Sequence, residues 1–172
     1  FSYNCTGSIT QEGHTIPCIY GEVHGQVDFT TAFAESCNTA FVQMGLDLGA
    51  DAIQETAEDL LFNQELPISL DYRKSTIDLK ESEGIPFLMQ SSIGQGTTLV
   101  SPMHMAMIVS AIANGGELME PYYIDHVEND AGDVVKTTSP STYKKLMSES
   151  EAETLKNLMA EVVNSGTGTQ LS

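Results

Sequence analysis

The chain has 172 residues, and its 41% hydrophobic content is enough for one sizeable core, in one domain or a large part of one. Seven Lys and Arg residues against 24 Asp and Glu residues give a net charge of −17. A surface this acidic repels phosphate backbones and anionic lipid headgroups, which argues against nucleic acid binding and peripheral membrane binding. The longest mostly apolar stretch, residues 103–113, is shorter than the roughly 20 residues that cross a bilayer, so we expect a buried helix there.

Residues 1–27 are expected to be an irregular lead-in. Gly7, Gly13 and Pro17 are interspersed with isolated apolar residues, a pattern that favours short extended pieces and turns. The chain begins with Phe1 rather than Met and ends without an obvious terminal element, so we interpret both ends as cut.

Helices are predicted for residues 28–62. Apolar residues recur there at spacings of three and four, at Phe29, Ala32, Phe33, Ala40, Phe41, Met44 and Leu48. An interruption is expected at residues 36–38, because Ser and Asn side chains offer hydrogen bonds that compete with the helical ladder. Gly49 is typical of a helix stop, and a second helix is predicted over residues 51–61.

The rest of the chain is predicted as a long loop and three elements. Residues 63–100 show little periodicity, so they are expected to be a loop that lines a site or is disordered. A Ser-Pro start and apolar spacing predict a helix over residues 101–116, and residues 121–137 resemble a β-hairpin. A capping box at its start predicts a helix over residues 148–165. The expected fold class is mainly α with one β-hairpin.

Cysteines and histidines give no metal-site pattern. The chain has an odd number of cysteines, Cys5, Cys18 and Cys37, and its four histidines are scattered along the sequence at positions 14, 24, 104 and 126. No close Cys/His pair has zinc-ligand spacing, so neither a metal nor a cofactor is predicted. A disulfide between Cys5 and Cys18 would stabilise the fold by roughly 3 kcal/mol by restricting the unfolded chain. Free thiols are the alternative, which we favour.

Ser36 and Asn38 form an S-x-N triplet. Serine acyl-transfer enzymes of the S-x-x-K type place such an element across the cleft from the nucleophile. A hydroxyl there can pass a proton to or from a neighbouring amine, and the amide can hold the lysine and the substrate carbonyl. A lone triplet also arises by chance, and a polar pair that caps the next helix is the alternative, so the surrounding sequence decides.

The surrounding motifs resemble one family. In chain order they are His24-Gly25, Ser36-Cys37-Asn38-Thr39-Ala40-Phe41, Leu46-Asp47-Leu48-Gly49, Ile93-Gly94-Gln95-Gly96, Ser101-Pro102, Ile112-Ala113-Asn114-Gly115-Gly116, Pro121 and Gly166-Thr167-Gly168. In this order and spacing the chain resembles the transpeptidase domain of class B penicillin-binding proteins over nearly its whole length. The resemblance implies the helical part of an α/β fold like that of serine β-lactamases, with its central sheet incomplete.

The resemblance also implies a function. In this family a serine attacks the D-alanyl-D-alanine of a peptidoglycan stem peptide, and the acyl group passes to an amine of a second stem peptide. Ser36 would be the proton-relay serine and Asn38 the amide that contacts substrate and lysine. Residues 94–96, Gly94, Gln95 and Gly96, are a weaker candidate for substrate binding, since a purely structural turn is an equal alternative. Stem peptides and β-lactams are the implied partners.

Two other segments resemble catalytic motifs in their amino-acid letters but not in their position in the chain. Residues 141–144 fit S-x-x-K but follow the S-x-N triplet and lie in a polar connection, and residues 136–138 approximate K-T-G without its glycine. On the family pattern, the nucleophile lies upstream of Phe1 and the K-T-G strand just beyond Ser172. The chain alone is therefore expected to be catalytically inactive and to expose an apolar face. The parent protein would be anchored at the outer face of the bacterial cytoplasmic membrane by a segment absent here, without membrane contact from this chain.

Alternative functions remain open. A β-lactam-sensing domain would keep the acyl-enzyme, and a serine β-lactamase of the same fold would hydrolyse it. An acidic helical interaction module without catalysis is the alternative from a different class. It predicts that the flanking gene sequence lacks S-x-x-K upstream and K-T-G downstream.

Overall fold

The computed structural model describes residues 1–79 and 84–171. Helices in these ranges are α1 (Phe29–Ala34), α2 (Asn38–Leu48), α3 (Ala50–Asp59), α4 (Gly84–Ser91), α5 (Pro102–Ala113) and α6 (Glu149–Asn164). Strands are β1 (Ser2–Cys5), β2 (Ser8–Gln11), β3 (His14–Pro17), β4 (Gly25–Asp28), β5 (Glu117–Met119), β6 (His126–Glu128), β7 (Val134–Thr137) and β8 (Thr142–Lys145). They pair antiparallel as β1–β4, β2–β3, β5–β8 and β6–β7. The described chain is therefore mixed α/β, with more strand pairs than the one predicted hairpin.

Residues 1–27 are more regular than the lead-in that the sequence predicted. β1 pairs with β4 from Ser2↔Asp28 to Cys5↔Gly25, and β2 pairs with β3. The β2–β3 turn consists of Glu12 and Gly13, both at positive φ, as a two-residue type I′ turn requires. The pairing of β1 with β4 joins segments far apart in the sequence, and strands of four residues carry too little periodicity to reveal it.

The predicted interruption of the first helix is confirmed. α1 is capped by Asp28, whose side chain accepts a hydrogen bond from the Thr31 N–H at 2.8 Å. Three residues separate the end of α1 from the start of α2. Gly49, with a φ of 81°, follows α2 as the predicted stop. The short connection at residues 35–37 therefore joins two helices that pack against the β1–β4 pair.

The expected loop over residues 63–100 contains a helix, α4, which its sequence did not predict. Pro86 lies in its first turn, where a missing N–H is not needed, and Leu88 and Met89 are buried. Gly and Pro are typical of loops but also of helix starts, which explains the error. α4 packs on α2 so closely that a Cβ added at Gly45 would overlap the Ser92 side chain.

The predicted elements of the second half are present. α5 has Ser101 as its N-cap and proline at its first position. β6 and β7 form the predicted hairpin, and β8 returns to pair with β5. α6 begins with the predicted capping box, in which Glu151 Oε2 accepts from the Ser148 N–H at 2.7 Å and Ser148 Oγ accepts from the Glu151 N–H at 3.2 Å.

The capping box allows a first prediction. Ser148→Ala removes the acceptor for the Glu151 N–H, so the protein is expected to lose about 1 kcal/mol of stability. In a thermal melt this corresponds to a decrease of roughly 2–4 °C in the unfolding midpoint of a domain of this size. Ser150→Ala, at an exposed position in the first turn of the same helix, is the matched control and is expected to leave the midpoint nearly unchanged. Equal midpoints for both variants would contradict the capping role.

The core consists of separate clusters rather than one uniform layer. The cluster between the β1–β4 pair, α1 and α2 is built from small side chains and comprises Cys5, Cys18, Val27, Ala32, Cys37 and Ala40. A second cluster joins α2 and α4 through Val42 and Met89. Small residues let the backbones approach closely where residues 36–38 connect the helices.

No helix within the described ranges is both long and apolar enough to cross a membrane.

Candidate active-site wall

Ser36 and Asn38 flank a buried residue at the turn between α1 and α2. The Ser36 side chain is exposed, Cys37 is fully buried, and Asn38 is partly buried. Asn38 Nδ2 donates a hydrogen bond to the Pro17 carbonyl oxygen at 3.1 Å. The S-x-N turn, residues 36–38, therefore presents a serine to solvent while the asparagine is anchored at the end of β3.

The backbone of Ser36 is in the left-handed region, with a φ of 53°. This conformation is unfavourable for a residue with a side chain, and it persists only where the surroundings fix it. The Ser36 N–H donates to the Phe33 carbonyl at 3.2 Å, and the Cys37 N–H donates to the Ala32 carbonyl at 2.9 Å. Strained residues held in this way are concentrated at functional sites, which agrees with a functional S-x-N turn.

The closing segment, residues 166–168 after α6, lies against this turn. The Thr167 N–H donates to the Ala34 carbonyl at 3.1 Å, and a Cβ added at Gly166 would overlap the same carbonyl. Ala34 is two residues before Ser36. The structure thus brings together the S-x-N turn and the segment that, by resemblance, precedes the K-T-G strand.

Residues 94–96 lie elsewhere. Gly94 and Gly96 have positive φ, and the Gln95 N–H donates to the Gln90 carbonyl at 3.0 Å, so they form the turn that ends α4. α4 contacts α2 at Gly45, about 10 Å along the helix from Asn38. No hydrogen bond in the described ranges joins this turn to the S-x-N turn. The geometry is that of a helix-ending turn, and a role in substrate binding stays a prediction.

The two look-alike motifs have no catalytic arrangement. Ser141 Oγ donates to Glu120 Oε2 at 3.0 Å, whereas Lys144 Nζ donates to the Asp59 carbonyl at 2.9 Å. A nucleophile and its base must be within hydrogen-bond reach of each other, and these two side chains are bonded to different partners. Lys136 lies in the exposed strand β7. Their interpretation as chance matches agrees with this geometry.

A cluster of cysteines and a histidine lies directly beneath the S-x-N turn. The ligand atoms of Cys5, Cys18, His24 and Cys37 all lie within 4.8 Å of one another. The three cysteines are free thiols, the favoured alternative to a disulfide. The sequence spacing showed no zinc-ligand pattern, and the proximity of these four side chains appears only in the fold. They come from four separate segments that the β1–β4 pairing brings together, and their sequence signal was three cysteines and two histidines between positions 5 and 37.

The thiols of this cluster differ in acidity. Burial raises the pKa of the Cys5 thiol, but hydrogen bonds with Thr39 and His24 outweigh it and bring the pKa to about 6. Burial raises the pKa of the Cys37 thiol to about 11. The surroundings of Cys5 therefore stabilise a thiolate better than those of Cys37.

The chain is similar to known proteins over nearly its whole length. The profile of one family, described as "Penicillin binding protein transpeptidase domain", matches residues 2–172. The peptidoglycan D,D-transpeptidase PbpA of Mycolicibacterium smegmatis is 34% identical over 134 residues, which are 77% of this chain and 27% of that protein. Stage V sporulation protein D of Bacillus subtilis is 30% identical over 176 residues, with 94% of this chain and 25% of that protein covered. The chain spans about a quarter of the length of these relatives.

Solved structures agree with the fold. The D,D-transpeptidase domain of a peptidoglycan glycosyltransferase from Eggerthella lenta superposes with a TM-score of 0.91 at 27% identity, over 99% of this chain and 45% of that one. Penicillin-binding protein A from M. tuberculosis, as an imipenem acyl-enzyme complex, gives a TM-score of 0.86 at 27% identity, over 95% of this chain and 38% of that one. The fold implied by the sequence resemblance is confirmed.

Proposed function

Because this chain belongs to the family of penicillin-binding protein transpeptidase domains, we propose that it forms one wall of the active site of a peptidoglycan D,D-transpeptidase. The proposed substrates are stem peptides, and β-lactams are the proposed inhibitors. The proposed place of action is the outer face of the bacterial cytoplasmic membrane, where peptidoglycan is cross-linked. Relatives named as D,D-transpeptidases support the activity.

The proposed reaction has two acyl-transfer steps. A serine outside these 172 residues attacks the carbonyl of the penultimate D-alanine, an ester bond forms, and the terminal D-alanine leaves with a proton on its amine. An amine of a second stem peptide then attacks the ester, an amide bond forms, and the serine regains its proton. In a β-lactam the leaving amine stays attached to the acyl group, which blocks the second step.

The geometry of Ser36 carries the proposal. Its side chain is exposed on a turn whose backbone is strained, and the turn is held by the Cys37 N–H on one side and by the closing segment on Ala34 on the other. A hydroxyl carried by a backbone fixed in this way can accept a proton from the attacking group and return it to the leaving amine. Because the position is fixed in advance, little reorganisation is needed at the moment of reaction.

Asn38 has the complementary proposed role. As the first residue of α2, it is held by its hydrogen bond to the Pro17 carbonyl. The side-chain amide has a second N–H and a carbonyl oxygen, so it can still bind the substrate amide and the lysine that accompanies the nucleophile. Ser36 would thus transfer the proton, and Asn38 would hold the substrate and the lysine in position for that transfer.

The proposal predicts covalent labelling by penicillin. The intact gene product that contains this chain is expected to bind a fluorescent penicillin covalently and to exchange the terminal D-alanine of a stem pentapeptide for a labelled D-amino acid. The 172 residues alone are expected to stay unlabelled, because removing the nucleophile of a catalytic unit removes nearly all its activity. An inert intact protein would contradict the proposal. A label that is rapidly hydrolysed would instead indicate a β-lactamase, and stable label without exchange a sensor.

A further inference from the structure

The four side chains beneath the S-x-N turn have the geometry of a zinc site. Zinc binds sulfur at about 2.3 Å and nitrogen at about 2.0 Å in a tetrahedron, so two sulfur ligands lie about 3.8 Å apart and sulfur and nitrogen about 3.5 Å apart. In the structure the Sγ atoms of Cys5 and Cys18 are 3.7 Å apart, and those of Cys18 and Cys37 are 4.0 Å apart. Cys5 Sγ lies 3.3 Å from His24 Nδ1. An ion can therefore be placed among the four atoms with little movement.

The chemistry of the donors selects the metal. Three thiols and one imidazole match the Cys₃His set of structural zinc sites, whereas Ca²⁺ and Mg²⁺ require oxygen ligands. Four protein ligands fill the tetrahedron, so no position is open for water or substrate, as in a structural rather than a catalytic site. All three cysteines are at most 2% exposed, and the His24 side chain is 8% exposed. Such a site excludes solvent.

The residues around the cluster fit the same interpretation. His24 directs Nδ1 at the sulfur atoms and Nε2 towards Glu22 Oε2, 4.0 Å away. A metal-binding histidine commonly donates its second N–H to a carboxylate, and a movement of about 1 Å by the exposed Glu22 side chain would form that hydrogen bond here. The buried hydroxyl of Thr39 lies 3.4 Å from Cys37 Sγ and 3.7 Å from Cys18 Sγ, where it can donate to a bound thiolate.

A disulfide explains the cluster less well. Its two sulfur atoms would have to approach to about 2.0 Å, and a bond between Cys5 and Cys18 would leave the Cys37 thiol and the His24 imidazole without a role. Ordinary core packing does not require the ligand atoms of four residues from separate segments to converge on one point.

We propose that Cys5, Cys18, His24 and Cys37 bind one structural zinc ion. On binding, the three thiols release their protons and form three zinc–sulfur bonds, and the imidazole donates its Nδ1 lone pair. The ion joins β1, the end of β3, the segment before β4 and the S-x-N turn. Because Cys37 stands between Ser36 and Asn38, zinc fixes the strained turn from beneath. This last consequence rests on the proposed function, whereas zinc binding itself does not.

Metal analysis of the intact gene product, purified without chelator, tests the proposal. One zinc per molecule is expected, and the three cysteines should resist alkylation until a chelator and denaturant are added. Replacing the zinc with cobalt should give the intense visible absorption of a tetrahedral thiolate site. The proposal would be overturned by any of three results: no zinc together with three reactive thiols, a Cys5–Cys18 disulfide in the peptide map, or a bound metal other than zinc.

Variants separate ligation from folding. Cys18→Ser is expected to reduce zinc to background, and Glu22→Gln, which keeps all four ligands, is expected to weaken zinc affinity about 10-fold. His126→Gln, at an exposed histidine of β6, is the control and should keep one zinc. Full zinc content in Cys18→Ser would rule the site out. Zinc binding without any penicillin labelling would leave the site standing and reject the proposed function, so the two failures are distinguishable.

Discussion

Replacing Ser36 with alanine in the intact protein is expected to slow acylation by penicillin about 100- to 10,000-fold, because the proton relay of the reaction is removed. The loss should appear in kcat for stem-peptide exchange rather than in KM, because a proton-transfer group acts in the transition state and not in substrate binding. Stopped-flow labelling with fluorescent penicillin measures the acylation rate directly.

Folding should be nearly unaffected by this change. In the described ranges no hydrogen bond involves the Ser36 hydroxyl, and alanine meets the same backbone strain as serine at this φ. The midpoint of thermal unfolding should therefore stay close to that of the unchanged protein. Ser141→Ala, in the S-x-x-K look-alike, is the matched control. Acylation at the normal rate by Ser36→Ala, or loss of acylation in Ser141→Ala, would reverse the assignment.

Gly166→Ala is expected to reduce both stability and activity. The new Cβ would overlap the Ala34 carbonyl oxygen, which belongs to rigid backbone and cannot rotate away. Overpacking of this kind costs about 3 kcal/mol, which lowers the unfolding midpoint by roughly 6–12 °C. Movement of Ala34 would also displace Ser36, and a displacement of about 1 Å can slow a reaction about 100-fold. Thermal melts and labelling rates of the same preparations measure the two effects.

Gly132→Ala is the matched control for this variant. Gly132 also has a special conformation, with a φ of 85°, but no atom lies within 4 Å of an added Cβ in its exposed hairpin turn. The Gly132→Ala variant should lose about 1 kcal/mol of stability through backbone strain alone and keep the acylation rate unchanged. If Gly166→Ala behaves like Gly132→Ala, the closing segment does not support the S-x-N turn.

Local signals allowed much of the fold to be predicted. The capping box at Ser148, the Ser-Pro start of α5 and the break at residues 36–38 each act within one or two helical turns, so they are legible in the sequence. α4 was missed because Gly84 and Pro86 are compatible with both a loop and a helix start, and only packing against α2 distinguishes the two.

The sequence by itself determined the helices other than α4, the caps of α5 and α6 and the S-x-N triplet, because these depend on residues close together in the chain. Only the tertiary structure decided which distant residues meet: Gly166 with Ala34, and Cys5, Cys18 and His24 with Cys37. The physical reason is that β1 pairs with β4 and α6 packs on α1, so residues far apart in the chain come together. These contacts depend on complementary shape and on burial of apolar surface, and neither property produces a periodic pattern in the sequence.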